Sequence, residues 1–281
     1  MRVVAVVGSF GKTTTVSAVR AALGLPVPAQ GGGSHASMAR ELLAKLPWHP
    51  PVVFEVAIDR PGQMGPCAAM LRPDVTVVTT IGTEHHRSLG TLETTQAEKG
   101  RMVQALRRDG VAVLNADDPR VLAMAATTEA RIVTYGFDPA ADVRGSDVEI
   151  AWPHGTRLSV HAGGERRSLQ LRLLGRVMAR PALAAIAVAV AEGRSLDDAI
   201  AGLERLEPRR MRMQIVALPG DAWMIRDEFK SSLETIDAAL DTFARCPGAR
   251  SSSPGRCRSP RAARDRSTAA SGSGWGKSRH G

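Results

Sequence analysis

The chain has 281 residues, 43% of them apolar, enough to build a core, yet it has no run near the ~18–20 continuous apolar residues of a membrane span. The formal charge of +9 is concentrated in residues 249–281, where eight Lys/Arg and one Asp give +7; this leaves +2 for the first 248 residues, so the body carries no electrostatic footprint for nucleic acid. Residues 1–7 are too short for a signal peptide, and Cys67, Cys246 and Cys257 lack metal-ligand spacing, so a reducing, cytoplasmic setting is expected.

In chain order, residues 3–7 form a β-branched run that predicts a buried strand. Residues 12–23 predict a helix stopped by Gly24 and Pro26, and a Gly/Pro-rich loop follows to Ser34. Helical patterns recur over 35–46, 92–107 and 178–192. Buried-strand runs recur over 52–56, 75–80, 111–114 and 132–135. This alternation predicts an α/β fold with a mostly parallel sheet and flanking helices. Runs at 148–150, 157–161 and 169–173 predict a small antiparallel β insertion, and 232–244 predicts an amphipathic helix. Residues 249–281 contain no Val, Ile, Leu, Met or Phe and predict a disordered basic tail.

Between the first strand and first helix lies GSFGKTTT, Gly8 to Thr15. A glycine turn in that context exposes backbone N–H groups to an anion, and the helix N-terminus adds a positive dipole. Gly8 and Gly11 allow close approach of the backbone to phosphate oxygens, with Ser9, Phe10 and Thr14 completing the loop. Lys12 can reach the β- and γ-phosphates, and the Thr13 hydroxyl can hold Mg²⁺. The spacing is a short G-x-x-G-K-T-T form, with Val6 where the longer pattern has its first Gly. Glu55 ends a buried apolar run, an unusual place for a carboxylate without a charged partner.

Four segments together resemble the Mur ligases: GSFGKTTT; FEVAIDRPGQ at 54–63 with RPDVTVVTTIGTEHHRSLGTLETTQAEKG at 72–100; NADDP at 115–119; and RMQ with IRDEF within 212–229. The likeness covers about residues 3–244 and is strongest to the branch that adds D-alanyl-D-alanine. Mur ligases form amide bonds in peptidoglycan precursor synthesis, using ATP and Mg²⁺ to activate a carboxylate as an acyl phosphate that an amine then attacks. The resemblance implies a P-loop central ATP-binding domain over 1–208 and the start of a truncated C-terminal ligase domain over 209–248. It implies that Lys12 contacts the phosphates, that Glu55 and Thr13 hold a first Mg²⁺, and that His85 holds a second. Lys99 matches a lysine that the family carbamoylates into a carboxylate-like metal ligand, which requires a neutral amine. Asn115 lies near the nucleotide in the family, although an Asx-turn accounts for Asn-Ala-Asp-Asp-Pro as well. Arg212 and Asp227 match residues that contact ATP from the hinge to the C-terminal domain.

The expected partners are a small-molecule carboxylate and an amine, an amino acid or dipeptide, with no nucleic acid and no membrane span. The sequence departs from the family at Val177, Met178 and Pro181, where His, Asn and a base-contacting Asn are expected, and at Arg226, Phe229, Ser232 and Leu233 in the hinge. The phosphate loop begins at residue 8, without the family's preceding UDP-binding domain. The tail from Arg250 is expected to be a frame-shifted reading, because a one-base shift of G/C-rich codons yields strings like the start of a Mur-ligase C-terminal domain. Two alternatives stay open: a non-catalytic nucleotide-binding protein, and a folylpolyglutamate or poly-amino-acid synthetase-like ligase.

Overall fold

The β-branched runs of the first half become the strands of one sheet. In the computed structural model, which describes residues 1–28, 35–46, 48–84, 86–220, 222–229 and 232–246, five strands pair in parallel. They are β1 (Val3–Val7), β2 (Val52–Glu55), β3 (Val75–Val78), β4 (Val111–Asn115) and β5 (Arg131–Gly136), in the order β2-β1-β3-β4-β5. Every residue of β1, β3 and β4 is buried, as strands covered on both faces require. Along β1, Val4 and Val6 enter one core while Val3, Ala5 and Val7 enter the other, the period of two that a strand imposes.

The antiparallel insertion is an extension of this sheet. β6 (Val143–Ile150) joins β5 through a short parallel pairing, and β7 (Thr156–Ala162) and β8 (Glu165–Leu171) continue it as an antiparallel meander, giving eight strands. β6 starts five residues before the strand expected from sequence. Its sequence VRGSDVEI contains few apolar residues, so only the last three, Val148 to Ile150, carried a strand signal.

Nine α-helices are described. α1 (Lys12–Ala22) packs with α7 (Arg176–Ala191) and α8 (Leu196–Glu204) on one face of the sheet. α2 (His35–Leu43), α3 (Met64–Leu71) and α5 (Leu92–Gln104) cover the other, with the single-turn helices α4 (His86–Leu89) and α6 (Pro119–Leu122) at their ends. α8 was unforeseen, although Leu196, Ala199, Ile200 and Leu203 are buried at helical spacing and Ser195 caps its first turn. Among the described residues no helix is long and apolar enough to cross a membrane.

After α8 the chain forms a separate two-stranded hairpin, β9 (Gln214–Ala217) with β10 (Trp223–Arg226), and then α9 (Leu233–Ala244). Ser232 and Thr235 close α9 with a capping box. These elements bury Met213 and Cys246 against Leu174 and belong to the same compact unit as the sheet, Met1–Pro247. The basic tail expected over 249–281 lies outside the described residues.

α1 carries the phosphate loop, so what holds α1 holds the loop. A Cβ added at Gly202 of α8 would lie 2.1 Å from the Ala21 carbonyl oxygen of α1. The clash is with backbone, which cannot swing aside. Gly202→Ala gains about 1 kcal/mol of helix propensity but should lose more to overpacking, for a net destabilisation of about 1–3 kcal/mol, read as a lower urea midpoint.

Candidate active site

The turn from β1 into α1 is shaped by two close contacts with the end of β3. Gly8 has φ +141°, and a Cβ there would sit 1.9 Å from Thr79 Oγ1, so only glycine lets the loop lie this near. Ser9 N–H donates to the Thr80 carbonyl at 2.7 Å, and Phe10 N–H donates to Thr80 Oγ1 at 3.2 Å. Gly11 then takes φ +80° as the N-cap of α1, with open space where a side chain would stand. No side chain caps this helix and its first turn holds no acid, so its first N–H groups are left for an external anion.

Lys12 is 7% exposed and its ammonium curls back beneath the loop. It donates to the Gly8 and Ser9 carbonyls, both at 2.9 Å, and to Glu84 Oε2 at 2.7 Å. Lys99, from α5, donates to Ser9 Oγ at 3.0 Å and lies 3.8 Å from the same Glu84 oxygen. Two lysines and one glutamate thus form a buried ionic cluster under the phosphate loop. Buried charges persist only when paired, and this cluster pairs them.

Above the loop opens a cavity of about 1420 Å³. Ser9, Phe10, Gly11, Lys12 and Thr13 form its floor, Glu55 enters from the end of β2 and Glu84 from the loop after β3. The segment after α8 supplies the opposite wall. Arg212 donates to Thr13 Oγ1 at 3.3 Å, and its guanidinium stacks 4.4 Å above the Phe229 ring. Arg209 donates to Ser17 Oγ at 2.8 Å and to the Pro28 carbonyl at 3.1 Å. Burial pulls both guanidinium groups below their ordinary value; Glu55, Asp227 and Glu84 oppose this at Arg212, and Arg212 adds to it at Arg209. Both arginines stay charged, because an ordinary arginine pKa lies so high. Asp227 stands behind this wall, accepting the Met213 N–H at 3.0 Å, and burial pushes its carboxyl up.

The structure therefore brings together the loop residues, Lys12, Thr13, Glu55, Lys99 and Arg212, with Asp227 adjacent. Thr14 is buried within α1. His85 lies outside the described residues. Asn115 is not at the cavity: its side chain donates to the Thr79 carbonyl at 2.8 Å and accepts the Asp117 N–H at 3.0 Å, closing an Asx-turn at the end of β4. Glu84 and Arg209 were not singled out from sequence. A lone acid in a loop has no periodicity to mark it, and Arg209 sits in the stretch Arg-Arg-Met-Arg, which reads as solvated charge.

At the start of α7, where the sequence departs from the Mur ligases, the structure holds a self-satisfied cluster. Arg176 lies 4.0 Å over the Phe137 ring, and Arg180 pairs with Asp117 at 2.9 Å. Asp117 also accepts the N–H groups of Phe137 at 2.8 Å and Asp138 at 3.0 Å.

The residues at the cavity fit Mg²⁺ and a polyphosphate on three counts. The helix N-terminus is uncapped; a hydroxyl and a carboxylate, Thr13 and Glu55, line one wall; and Lys12 with two arginines supplies positive charge.

Comparison with known proteins shows the family. Residues 6–189 match the Mur ligase middle domain family. A UDP-N-acetylmuramoyl-tripeptide--D-alanyl-D-alanine ligase of Mycobacterium bovis is 30% identical over 249 residues, spanning 87% of this chain and 49% of that protein. MurF from Acinetobacter baumannii superposes with a TM-score of 0.79 at 23% identity, covering 87% of this chain and 54% of that one. MurF from Thermotoga maritima in complex with ADP gives a TM-score of 0.78 at 22% identity, covering 88% and 58%. The chain spans about half the length of the curated relatives it matches.

Replacing Asp117 with Ala would strand two backbone N–H groups and Arg180 at once. Asp117→Ala should destabilise the fold by about 1–3 kcal/mol in chemical denaturation. Asn115→Ala should do likewise if the turn is a structural device, with little change in nucleotide affinity measured on the folded protein.

Proposed function

Because the chain belongs to the Mur ligase family, we propose that it forms the nucleotide-binding and carboxylate-activating part of an ADP-forming amide ligase in peptidoglycan precursor synthesis. The observation that carries this reading is the single cavity where an uncapped phosphate loop, Lys12, Glu55 and Arg212 meet. A non-catalytic nucleotide switch needs the loop alone; the convergence of carboxylates and a hinge arginine on it favours phosphoryl-transfer chemistry.

Each residue has a task in this reading. The backbone from Gly8 to Thr14 cradles the phosphates of ATP, and Lys12 neutralises them. Thr13 and Glu55 would hold Mg²⁺, and the family resemblance assigns a second metal to His85 and Lys99. Mg²⁺ when bound would neutralise charge around the phosphoryl group and so lower the barrier to its transfer. Arg212, held by Thr13 and Phe229, faces the same phosphoryl group from the hinge, and Asp227 orients the segment that carries it. The cavity is large enough to admit both a nucleotide polyphosphate and a carboxylate substrate. By analogy with the relatives' names, we infer that the carboxylate belongs to a UDP-N-acetylmuramoyl peptide and the amine to D-alanyl-D-alanine, substrates that fit a cytoplasmic enzyme.

Carbamoylation of Lys99 is the finer part of the proposal. The carbamate would put a second anion beside Glu84, now 3.8 Å from Nζ. Two such anions can share a buried site only with a divalent cation between them. A ¹³C carbamate resonance from labelled bicarbonate should therefore appear in the presence of Mg²⁺ and vanish with chelator. A resonance indifferent to metal would contradict the arrangement.

The reading as a whole is tested at the loop. Calorimetry should show that Lys12→Ala lowers Mg·ATP affinity by about tenfold or more, the scale of a lost charge-assisted contact. Equal affinity in wild type and variant would remove this loop from the function.

A further inference from the structure

An ammonium has three N–H donors, and Lys12 uses all three within the protein. Its acceptors are the Gly8 carbonyl and the Ser9 carbonyl, both at 2.9 Å, and Glu84 Oε2 at 2.7 Å. A phosphate oxygen can gain Lys12 only by displacing one of them. The two carbonyls belong to the loop backbone, whose position is fixed by Gly8 against Thr79 and by Ser9 N–H on Thr80. Glu84 is held by a side chain that can rotate, and it is the only anion of the three. It is therefore the partner that exchanges.

The exchange has an electrostatic consequence. The Glu84 side chain is 4% exposed and that of Lys99 3%, so water does little to screen either. Once Lys12 turns to phosphate, the Glu84 carboxylate remains beside an incoming polyanion, and carbamoylation of Lys99 would remove its neighbouring cation. At most two lysines then face one carboxylate and three or four phosphate charges. A divalent cation between carboxylate and phosphate removes the deficit, and without it the deficit opposes binding.

We propose that Glu84 is a positioning residue that makes the loop select metal-bound nucleotide: it holds Lys12 in the empty site and passes to a divalent cation when a triphosphate takes its place. The proposal rests on the reading of the cavity as a nucleotide site. It gives a role to a residue that would otherwise only block the loop. A purely structural Glu84 would support the fold equally with and without metal, so the metal dependence of binding separates the two roles.

The experiment is ATP binding by the full chain, measured by calorimetry in excess Mg²⁺ and again in excess EDTA. The wild type should bind Mg·ATP about 100-fold more tightly than metal-free ATP. Glu84→Gln removes the charge and should shrink that ratio to about tenfold or less, chiefly by tightening metal-free ATP. Glu84→Asp keeps the charge but withdraws it from Lys12 by one methylene, and should give an intermediate ratio. It carries the test if circular dichroism shows the glutamine variant to be unfolded. A ratio unchanged from wild type in the folded variants overturns the proposal. Absence of binding by the wild type under both conditions overturns the nucleotide reading itself, and the proposal with it.

Discussion

Gly8 touches Thr79 so closely that the phosphate loop is in effect a continuation of the end of β3 as well as of β1. That contact sets the height of the loop above the sheet. With the loop at that height, the side chain of Lys12, the first residue of α1, folds back under it and donates to the Gly8 and Ser9 carbonyls. The same contact brings Ser9 over Lys99 and both lysines to Glu84, which follows β3 by a few residues. A looser loop would leave two ammonium groups and a carboxylate buried without mutual compensation, an arrangement the interior does not tolerate. The ionic cluster and the shape of the loop therefore stabilise each other.

The opposite wall depends on the loop in turn. Arg212 reaches Thr13 from a segment whose backbone is left-handed on both sides, with φ +60° at Met211 and +46° at Met213. Left-handed conformations cost side-chain-bearing residues roughly 1 kcal/mol or more each, and they persist where surrounding contacts over-determine them. Here those contacts are the burial of Met213, its N–H bond to Asp227 and the stacking of Arg212 on Phe229. α9 adds a tie from the same segment: Glu234 accepts both the N–H and the hydroxyl of Thr83, beside Glu84. The segment after α8 is thus fastened to the loop after β3 and to the first turn of α1.

Much of this was legible in the sequence because it depends on short-range patterns. β1, the phosphate loop and α1 are contiguous, so the eight residues of GSFGKTTT mark the loop and its place between strand and helix. The parallel strands were legible because burial on both faces forces β-branched runs, as in VVAVV and VTVV. Less was legible where several segments share one task. Glu84 and Lys99 are fifteen positions apart, and Lys12 is 72 positions from Glu84, so nothing in local spacing announces the cluster. β6 escaped for a different reason: as VRGSDVEI it is held by its neighbours in the sheet rather than by its own apolar content. The NADD turn shows the converse. Its residues looked equally like a nucleotide contact and an Asx-turn, and the bonds of Asn115 and Asp117 belong to the turn.

The distribution of charge explains how a nearly neutral body can suit a polyanion. The first 248 residues carry a formal charge of only +2, yet the cavity collects Lys12, Arg209 and Arg212, with Arg205 and Arg210 at its margin. Burial disfavours the charge on Arg209 and Arg212, and the carboxylates that relieve Arg212 are shared with the loop. An anion entering the cavity would relieve that penalty, whereas a neutral ligand would deepen it by excluding water. The start of α7 offers no such incentive, since Arg176, Phe137, Arg180 and Asp117 already satisfy one another. On the proposed reading, the charges around the loop address the phosphate end of a nucleotide and would set selectivity more strongly than contacts to the base.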